Sequence, residues 1–342
     1  MLGDMVPMKA HGNLSAYQIF INAFALFAQH IGKLLLPIDL NVFHVLHPIS
    51  SLLEFRGVAG VFVTAAYAAA VAVVYRKNRT AFLGLVLIVI PLLPALYIPA
   101  LGEASFAERY LYTPSAGFVV LLAASFAWLH EKLPRYGIPI TLFTIALIVL
   151  YSVQTVRRNT VWKDDLTLFS DTVRKSPEGE LPNGMFGVAL MNVGRFNEAI
   201  EQLRKTLKLH PNSVNTYYNL GRALMKKGLP AEAIPALEKA LTFTPDDPDA
   251  RRNLAYSYLQ LGMTDKAFEQ FRILAESKVA SPEAHLDFGV MLRQQGKTDD
   301  AIESYRKALA LDPSYAKAHF NLGNAMRICD RRTGPSRGMK PP

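Results

Sequence analysis

The chain has 342 residues, a formal net charge of +9 and one cysteine, Cys329. One cysteine excludes an internal disulfide and any metal site built from several cysteines. The charge is divided almost evenly, since residues 1–160 carry about +5 and the remainder about +4. The sequence therefore has no dense basic region of the kind that indicates a nucleic-acid partner.

The two parts of the chain differ in polarity. Residues 1–160 hold 11 basic and 6 acidic side chains, whereas residues 161–342 hold 26 and 22. The first part is too apolar for an ordinary soluble domain, and the second is typical of a soluble, helix-rich one. We therefore expect an all-α protein in which a polytopic transmembrane helix bundle precedes a soluble domain.

Four stretches are long enough to cross a bilayer and carry no charged residue. They are residues 57–75, 80–99, 111–129 and 136–156. A fifth stretch, 14–36, contains several polar residues, so it is interpreted either as a span or as a helix buried among the others or lying at the interface.

The orientation follows from the basic residues of the short loops. Loop 76–79 carries three basic residues and loop 131–135 carries two, whereas the only basic residue of loop 100–110 is Arg109. Because basic loops remain in the cytoplasm, loop 100–110 and everything after residue 156 are predicted to face the other side.

The soluble part repeats itself every 34 residues. Glycine occurs in one register at 187, 221, 289 and 323, with further series of glycine, alanine and proline, and residues 217–245 contain the whole pattern. This period and these residue types indicate tetratricopeptide repeats, which form an α-solenoid. The predicted organisation is a transmembrane domain at 1–156, a linker helix at 157–178, four full repeats and one partial repeat at 179–330, and a basic disordered tail at 331–342.

Two short motifs flank the last two predicted spans. The first has the arrangement Glu-Arg-x-Leu-Tyr-x-Pro-Ser-x-Gly, and the second pairs a tryptophan with Leu-Phe after the final span. With the repeats that follow, they resemble the C-terminal part of the transmembrane and tetratricopeptide-repeat O-mannosyltransferase family. The matching residues are Glu108, Arg109, Leu111, Tyr112, Pro114, Ser115, Gly117, Trp162, Leu168 and Phe169.

The resemblance implies an integral membrane protein, a bacterial relative in the inner membrane, with its repeats on the extracytoplasmic side. Such proteins are glycosyltransferases with a lipid-phosphate-linked sugar donor. Their acidic catalytic residues lie in an early outer loop, but before residue 100 this sequence has only Asp4, Asp39 and Glu54. The resemblance therefore assigns no catalytic residue and no cofactor, and implies a fragment or a relative without the transferase half. The alternative is a non-catalytic membrane-anchored scaffold.

The outer loop contains a candidate site for the phosphate of a polyprenyl-phosphate sugar or another membrane lipid. The guanidinium fork of Arg109 matches phosphate oxygens, Glu108 is placed to orient it, and Tyr110 and Tyr112 are placed to border a lipid or sugar. The alternative is that arginine and tyrosine here anchor a helix end at the interface.

Other polar residues are assigned structural roles. Asp164 and Asp165 follow the last span and are predicted to begin a helix rather than to act as an acid–base pair. His44 and His47 lie three residues apart, but two ligands do not make a zinc site, so no metal is predicted.

The repeats contain a candidate site for a protein or peptide ligand. Asn219, Asn253, Asp287 and Asn321 share one register of the 34-residue period, so they form a line along the solenoid. Asparagine carries both a donor and an acceptor and can pair with successive peptide groups. This row resembles the asparagine ladder in the repeats of nucleocytoplasmic O-GlcNAc transferase. The alternative is that asparagine is incidental to the repeat consensus.

Overall fold

The computed structural model describes residues 14–38, 40–41, 47–96, 107–278 and 280–333, with side chains as far as residue 329. These residues form α-helices, short 3₁₀ helices and connecting turns, and no strand occurs among them, which confirms the predicted all-α class. The chain divides into two compact units, residues 1–189 and residues 190–342.

The first unit contains the apolar helices. Its elements are α1 (Ala16–Leu35), α2 (Phe55–Lys77), α3 (Arg79–Leu96), a 3₁₀ helix (Glu108–Leu111), α4 (Tyr112–Lys132), a second 3₁₀ helix (Pro134–Tyr136), α5 (Gly137–Val161), α6 (Asp165–Lys175) and α7 (Glu180–Asn192), which continues into the second unit. Four segments are long and apolar enough to cross a membrane, and they match the four predicted stretches: Phe55–Lys77, Arg79–Leu96, Glu108–Lys132 and Pro134–Val161. Helix α1, the fifth stretch, is not among them.

Close helix crossings hold this bundle together. A Cβ atom on Gly60 of α2 would lie 2.6 Å from the backbone of Phe24 in α1. Glycine thus lets the two helices approach more closely than a larger side chain permits. Large apolar side chains surround these crossings and form one core cluster: Phe27, Leu34, Ile88, Leu92, Leu111 and Phe118. Helix α5, by contrast, exposes many of its apolar side chains, as a lipid-facing helix does.

The segment predicted as a linker helix, 157–178, consists of two pieces. Helix α5 continues through Arg157 and Arg158 to Val161, and α6 begins at Asp165. The Asp164 Oδ1 atom accepts a hydrogen bond from the backbone N–H of Thr167 at 2.8 Å, so Asp164 caps α6. The prediction that this acidic pair begins a helix is confirmed.

The second unit is a succession of helices of nearly equal length. They are α8 (Phe196–Leu209), α9 (Val214–Lys227), α10 (Pro230–Phe243), α11 (Pro248–Gln260), α12 (Thr264–Glu276), α13 (Pro282–Gln294), α14 (Thr298–Leu311) and α15 (Ala316–Thr333). Consecutive helices from α8 to α15 pack against each other, and α11 also contacts α9 while α15 contacts α13. We call α9, α11, α13 and α15 the first helices of their repeats.

The repeat period has two physical causes. Gly228 ends α9 in the left-handed region at a φ of 81°, which only glycine adopts without strain, and Gly194, Gly262 and Gly296 do the same at 34-residue intervals. Within the repeat, a Cβ atom on Gly221 would lie 2.5 Å from Leu237 of the paired helix. A small residue is therefore required at this point, where the two helices touch.

Candidate functional site

The motif beginning at residue 108 divides between buried and exposed side chains. Glu108 is 6% exposed, whereas Arg109, its neighbour, is exposed. Tyr110 is half-buried, and Tyr112, at the first residue of α4, is 64% exposed. The structure thus places Glu108 inside the first unit, and the other three candidate residues at or near its surface.

The Glu108 carboxylate is the acceptor for two side chains far along the chain. The Arg158 Nε atom lies 3.0 and 2.7 Å from its two oxygens, and Arg158 Nη2 lies 2.7 Å from Oε1. Trp162 Nε1 donates to the same Oε1 at 2.7 Å. These contacts orient Glu108 toward α5, so the structure gives it a different partner from the one expected, Arg109.

Arg158 also reaches a second buried carboxylate. Its Nη1 atom donates to Asp171 Oδ2 at 2.7 Å, and Asp171 accepts further hydrogen bonds from Arg174 and Lys175 at 2.6 and 2.7 Å. Burial opposes the charged form of Asp171, but the hydrogen bonds from these three cations outweigh burial and lower its pKa to about 2. One guanidinium therefore links the 3₁₀ helix at Glu108–Leu111 to α6.

The two sequence motifs meet in this network. Trp162 is the tryptophan of the second motif, and it donates to the first residue of the first motif, Glu108. Leu168 and Phe169, which complete the second motif, are buried. Arg158 is the residue that sequence reasoning missed, because a basic residue at the end of a span was interpreted only as an indicator of orientation.

The remaining positions of the first motif shape the start of α4. Leu111 and Pro114 are buried, and Ser115 Oγ donates to the Tyr112 carbonyl at 2.6 Å. A Cβ atom on Gly117 would lie 2.6 Å from the Gly84 carbonyl oxygen of α3. This end of the motif therefore fixes the packing of α4 against α3.

Arg109 presents its guanidinium group at the surface beside Tyr110. Its Nη2 atom lies 3.3 Å from the Tyr110 hydroxyl, and its Cζ atom lies 5.1 Å from the centre of the Tyr110 ring. An exposed arginine beside an aromatic ring has the charge and the donor geometry that suit an anion. In the part of the chain that the structure describes, no group of three or more His, Cys, Asp or Glu side chains is arranged to hold a metal, and His44 lies outside that part.

The four candidate residues of the repeats lie at one sequence register on successive first helices, and all four are partly exposed. We call Asn219, Asn253, Asp287 and Asn321 the repeat row. The amide groups of Asn253 and Asn321 donate to carbonyls of their own helices, at 2.7 and 2.8 Å. Their amide oxygens are consequently the atoms that can accept a hydrogen bond from a ligand.

Asp287 differs from the rest of the repeat row because side chains of the preceding first helix hold it. The Tyr256 hydroxyl donates to its Oδ1 at 3.0 Å, and Arg252 Nε lies 3.5 Å from its Oδ2. Burial raises the pKa of Asp287 more than these two partners lower it. When ionised, this member of the row is an acceptor only.

Comparison with known proteins identifies the repeats. Family models of tetratricopeptide repeats match residues 185–248, 224–286 and 289–326. The chain is therefore a tetratricopeptide-repeat protein over this region. It is related to the TMTC protein O-mannosyl-transferases, as the motifs predicted, with 31% identity over 146 residues to TMTC1 of Homo sapiens and 32% over 141 residues to Tmtc1 of Drosophila melanogaster.

These alignments cover part of each protein. The match to the human protein includes 42% of this chain but only 17% of the relative's length, and the match to the fly protein includes 40% and 16%. Among solved structures, MamA is similar over 47% of this chain and 94% of its own, with 27% identity and a TM-score of 0.42. YrrB, described as a repeat protein with an unusual peptide-binding site, is similar over 57% of this chain and 96% of its own, with 22% identity and a TM-score of 0.40.

Proposed function

We propose that this is a membrane-anchored protein whose repeats bind a protein or peptide segment on the extracytoplasmic side, in a system related to polyprenyl-phosphate-sugar-dependent glycosyltransferases. The observation that carries the proposal is the repeat row: polar side chains at one register, partly exposed on successive first helices. The amide oxygens of Asn253 and Asn321 are acceptors for the N–H groups of an extended peptide. The relationship to the O-mannosyl-transferases supports a protein acceptor as the ligand.

The test compares two triple variants of the full chain in detergent. Asn219, Asn253 and Asn321 are replaced by alanine in one. Three exposed asparagines outside the row, Asn197, Asn212 and Asn215, are replaced in the other. Binding of a fluorescent randomised dodecapeptide library is measured by polarisation, and helical content by circular dichroism.

We expect the row variant to lose about tenfold or more in affinity, since each net hydrogen bond contributes roughly 0.5–1.5 kcal/mol. The control variant should bind as the wild type does. Equal binding by both variants, with helical content preserved, would remove the repeat row from the function.

A second site, at Arg109, distinguishes a lipid-phosphate-binding protein from a non-catalytic scaffold. The exposed guanidinium beside Tyr110, one helical turn from Tyr112, favours a lipid phosphate at the end of a candidate span. Glu108 contributes indirectly, by fixing the 3₁₀ helix that carries Arg109.

Native mass spectrometry with undecaprenyl phosphate tests this site. Arg109→Ala should reduce lipid binding and Arg109→Lys should retain part of it. Arg135→Ala, which alters an equivalent arginine stacked on Tyr136, should have no effect. Equal loss in the Arg109→Ala and Arg135→Ala variants would favour the scaffold, with Arg109 as an interfacial anchor.

A further inference from the structure

Two pairs of successive first helices have related residues where the helices meet. We call each of these places a junction. Asp287 of the repeat row is held by Arg252 and Tyr256, which lie one position before and three positions after the row residue Asn253. The same two positions around Asn219 are Tyr218 and Arg222. Two neighbouring junctions therefore carry an arginine and a tyrosine, in exchanged order.

The later of these junctions is a filled carboxylate site. The Asp287 carboxylate accepts from the Tyr256 hydroxyl at 3.0 Å and pairs with Arg252 at 3.5 Å. At this junction the chain itself places a carboxylate beside an arginine and a tyrosine of the preceding first helix.

The earlier junction has the same two residue types but no carboxylate. Its row residue is the neutral Asn253, which interacts with Tyr218. Arg222 is half-buried, with its Cζ atom 5.4 Å from the Tyr218 ring centre and its Nη1 atom 3.4 Å from Asn219 Oδ1. Among the described residues, no Asp or Glu oxygen lies within 4.0 Å of its guanidinium nitrogens.

Two acidic residues, Asp249 and Asp247, act electrostatically on the Tyr218 hydroxyl, but neither carboxylate forms an ion pair with Arg222. The Asp247 carboxylate caps α11 by accepting from the backbone N–H groups of Asp249 and Ala250 at 2.9 and 3.0 Å. Arg222 is therefore a partly desolvated cation, oriented by an aromatic ring and an amide oxygen, at the edge of the repeat row. A group in this state favours an anionic partner.

We propose that Arg222, with Tyr218, is a carboxylate-binding position of the peptide site, and that the segment bound by the repeats carries an acidic group there. This inference rests on the proposed function and names the chemistry of its ligand. The ligand's carboxylate supplies, between α9 and α11, the negative charge that Asp287 supplies between α11 and α13. A carboxylate belongs either to an Asp or Glu side chain or to a peptide C-terminus.

Selection from peptide libraries tests the position and distinguishes these two sources. The immobilised full chain in detergent is exposed to randomised dodecapeptides, one library with an amidated and one with a free C-terminus, and retained peptides are sequenced by mass spectrometry. We expect Asp and Glu to be enriched at one position of the amidated library if the side chain is the source. If the C-terminus is the source, we expect preferential retention of the free-acid library.

The acidic preference should disappear in Arg222→Gln, with a loss of about tenfold or more in affinity for the selected acidic peptides, as for other hydrogen bonds to charged groups. The matched control is Arg251→Gln. Arg251 is a neighbouring arginine outside the proposed site, and it donates to Gln270 and to the Pro245 carbonyl. It should retain the preference.

A second variant leaves Arg222 in place and supplies its carboxylate from within the chain. Asn253→Asp copies the Asp287 arrangement one repeat earlier, so it should abolish the acidic preference while the repeats stay folded. Binding without any acidic preference in the wild type, or a preference that persists in both Arg222→Gln and Asn253→Asp, would overturn the inference and leave the proposed function intact. Failure of the wild type to retain any peptide would overturn both.

Discussion

At the scale of single residues, Arg158 has the most specific role in the first unit. Three of its nitrogen atoms contact two buried carboxylates, Glu108 and Asp171, which belong to different elements. A planar fork can do this, whereas the ammonium group of lysine is a single point of charge. The geometry of Arg158 therefore matters as much as its charge.

We predict that Arg158→Lys destabilises the first unit almost as much as Arg158→Ala, because a lysine ammonium group contacts one carboxylate and loses the contact with the other. Breaking a buried pair costs about 3–5 kcal/mol. Thermal unfolding in detergent measures this, followed by Trp162 fluorescence in a Trp128→Phe background that leaves Trp162 as the only tryptophan. Arg157→Lys, at the exposed neighbour, is the control, and equal stability of the two lysine variants would contradict the prediction.

At the scale of elements, the contact between α3 and α4 depends on two glycines that face each other. A Cβ atom on Gly117 would lie 2.6 Å from the Gly84 carbonyl oxygen and 2.8 Å from the Ile88 backbone nitrogen. Backbone atoms cannot move aside as the end of a flexible side chain can. The crossing therefore requires the absence of a side chain at both positions.

Gly117→Ala should destabilise the bundle by about 1–3 kcal/mol, the usual cost of overpacking. Gly32→Ala in α1 is a matched control, since a Cβ atom there meets nothing within 4 Å and alanine favours the helix. Resistance to unfolding by sodium dodecyl sulfate in mixed micelles distinguishes the two. A Gly117→Ala variant as stable as Gly32→Ala would contradict the observed crossing.

The sequence predicts elements better than it predicts their contacts. Apolar runs and the 34-residue period indicate helices, because both express a local rule about which residues are buried. The pairing of Glu108 with Arg158 joins residues 50 positions apart, and no local pattern encodes such a distance. A fixed period predicts the same position on successive first helices for every member of the repeat row, whereas the pairing of Asp287 with Tyr256 depends on side-chain directions that the period leaves undetermined.

At the scale of the whole molecule, the four candidate spans and the basic loops predict one topology. Both basic loops are on the same side when the chain crosses four times between Phe55 and Val161. The 3₁₀ helix at Glu108–Leu111 and the whole segment after α5 then share the opposite side. We therefore predict that Arg109 and the repeats face the same compartment.

Cysteine labelling in a Cys329→Ser background checks the topology, because no other cysteine is present. We predict that a membrane-impermeant maleimide applied to intact cells labels Lys163→Cys, but labels Lys77→Cys and Lys132→Cys only after permeabilisation. All three lysines are exposed in the structure, so a difference in labelling reports the side of the membrane. Labelling of Lys77→Cys in intact cells would contradict the topology.

The left-handed turns at Gly228 and Gly262 make the repeats exchangeable at the level of the gene. Both turns have nearly the same backbone conformation, with φ values of 81° and 70°. Loss of the 34 codons for residues 229–262 by unequal recombination would join Gly228 directly to Met263, keep the reading frame and preserve a turn of the same geometry. It would also bring Arg222 and Tyr218 into register with Asp287, so one recombination event would give Arg222 a carboxylate partner from within the chain. The proposed acidic preference of the ligand site would then be lost without a point mutation.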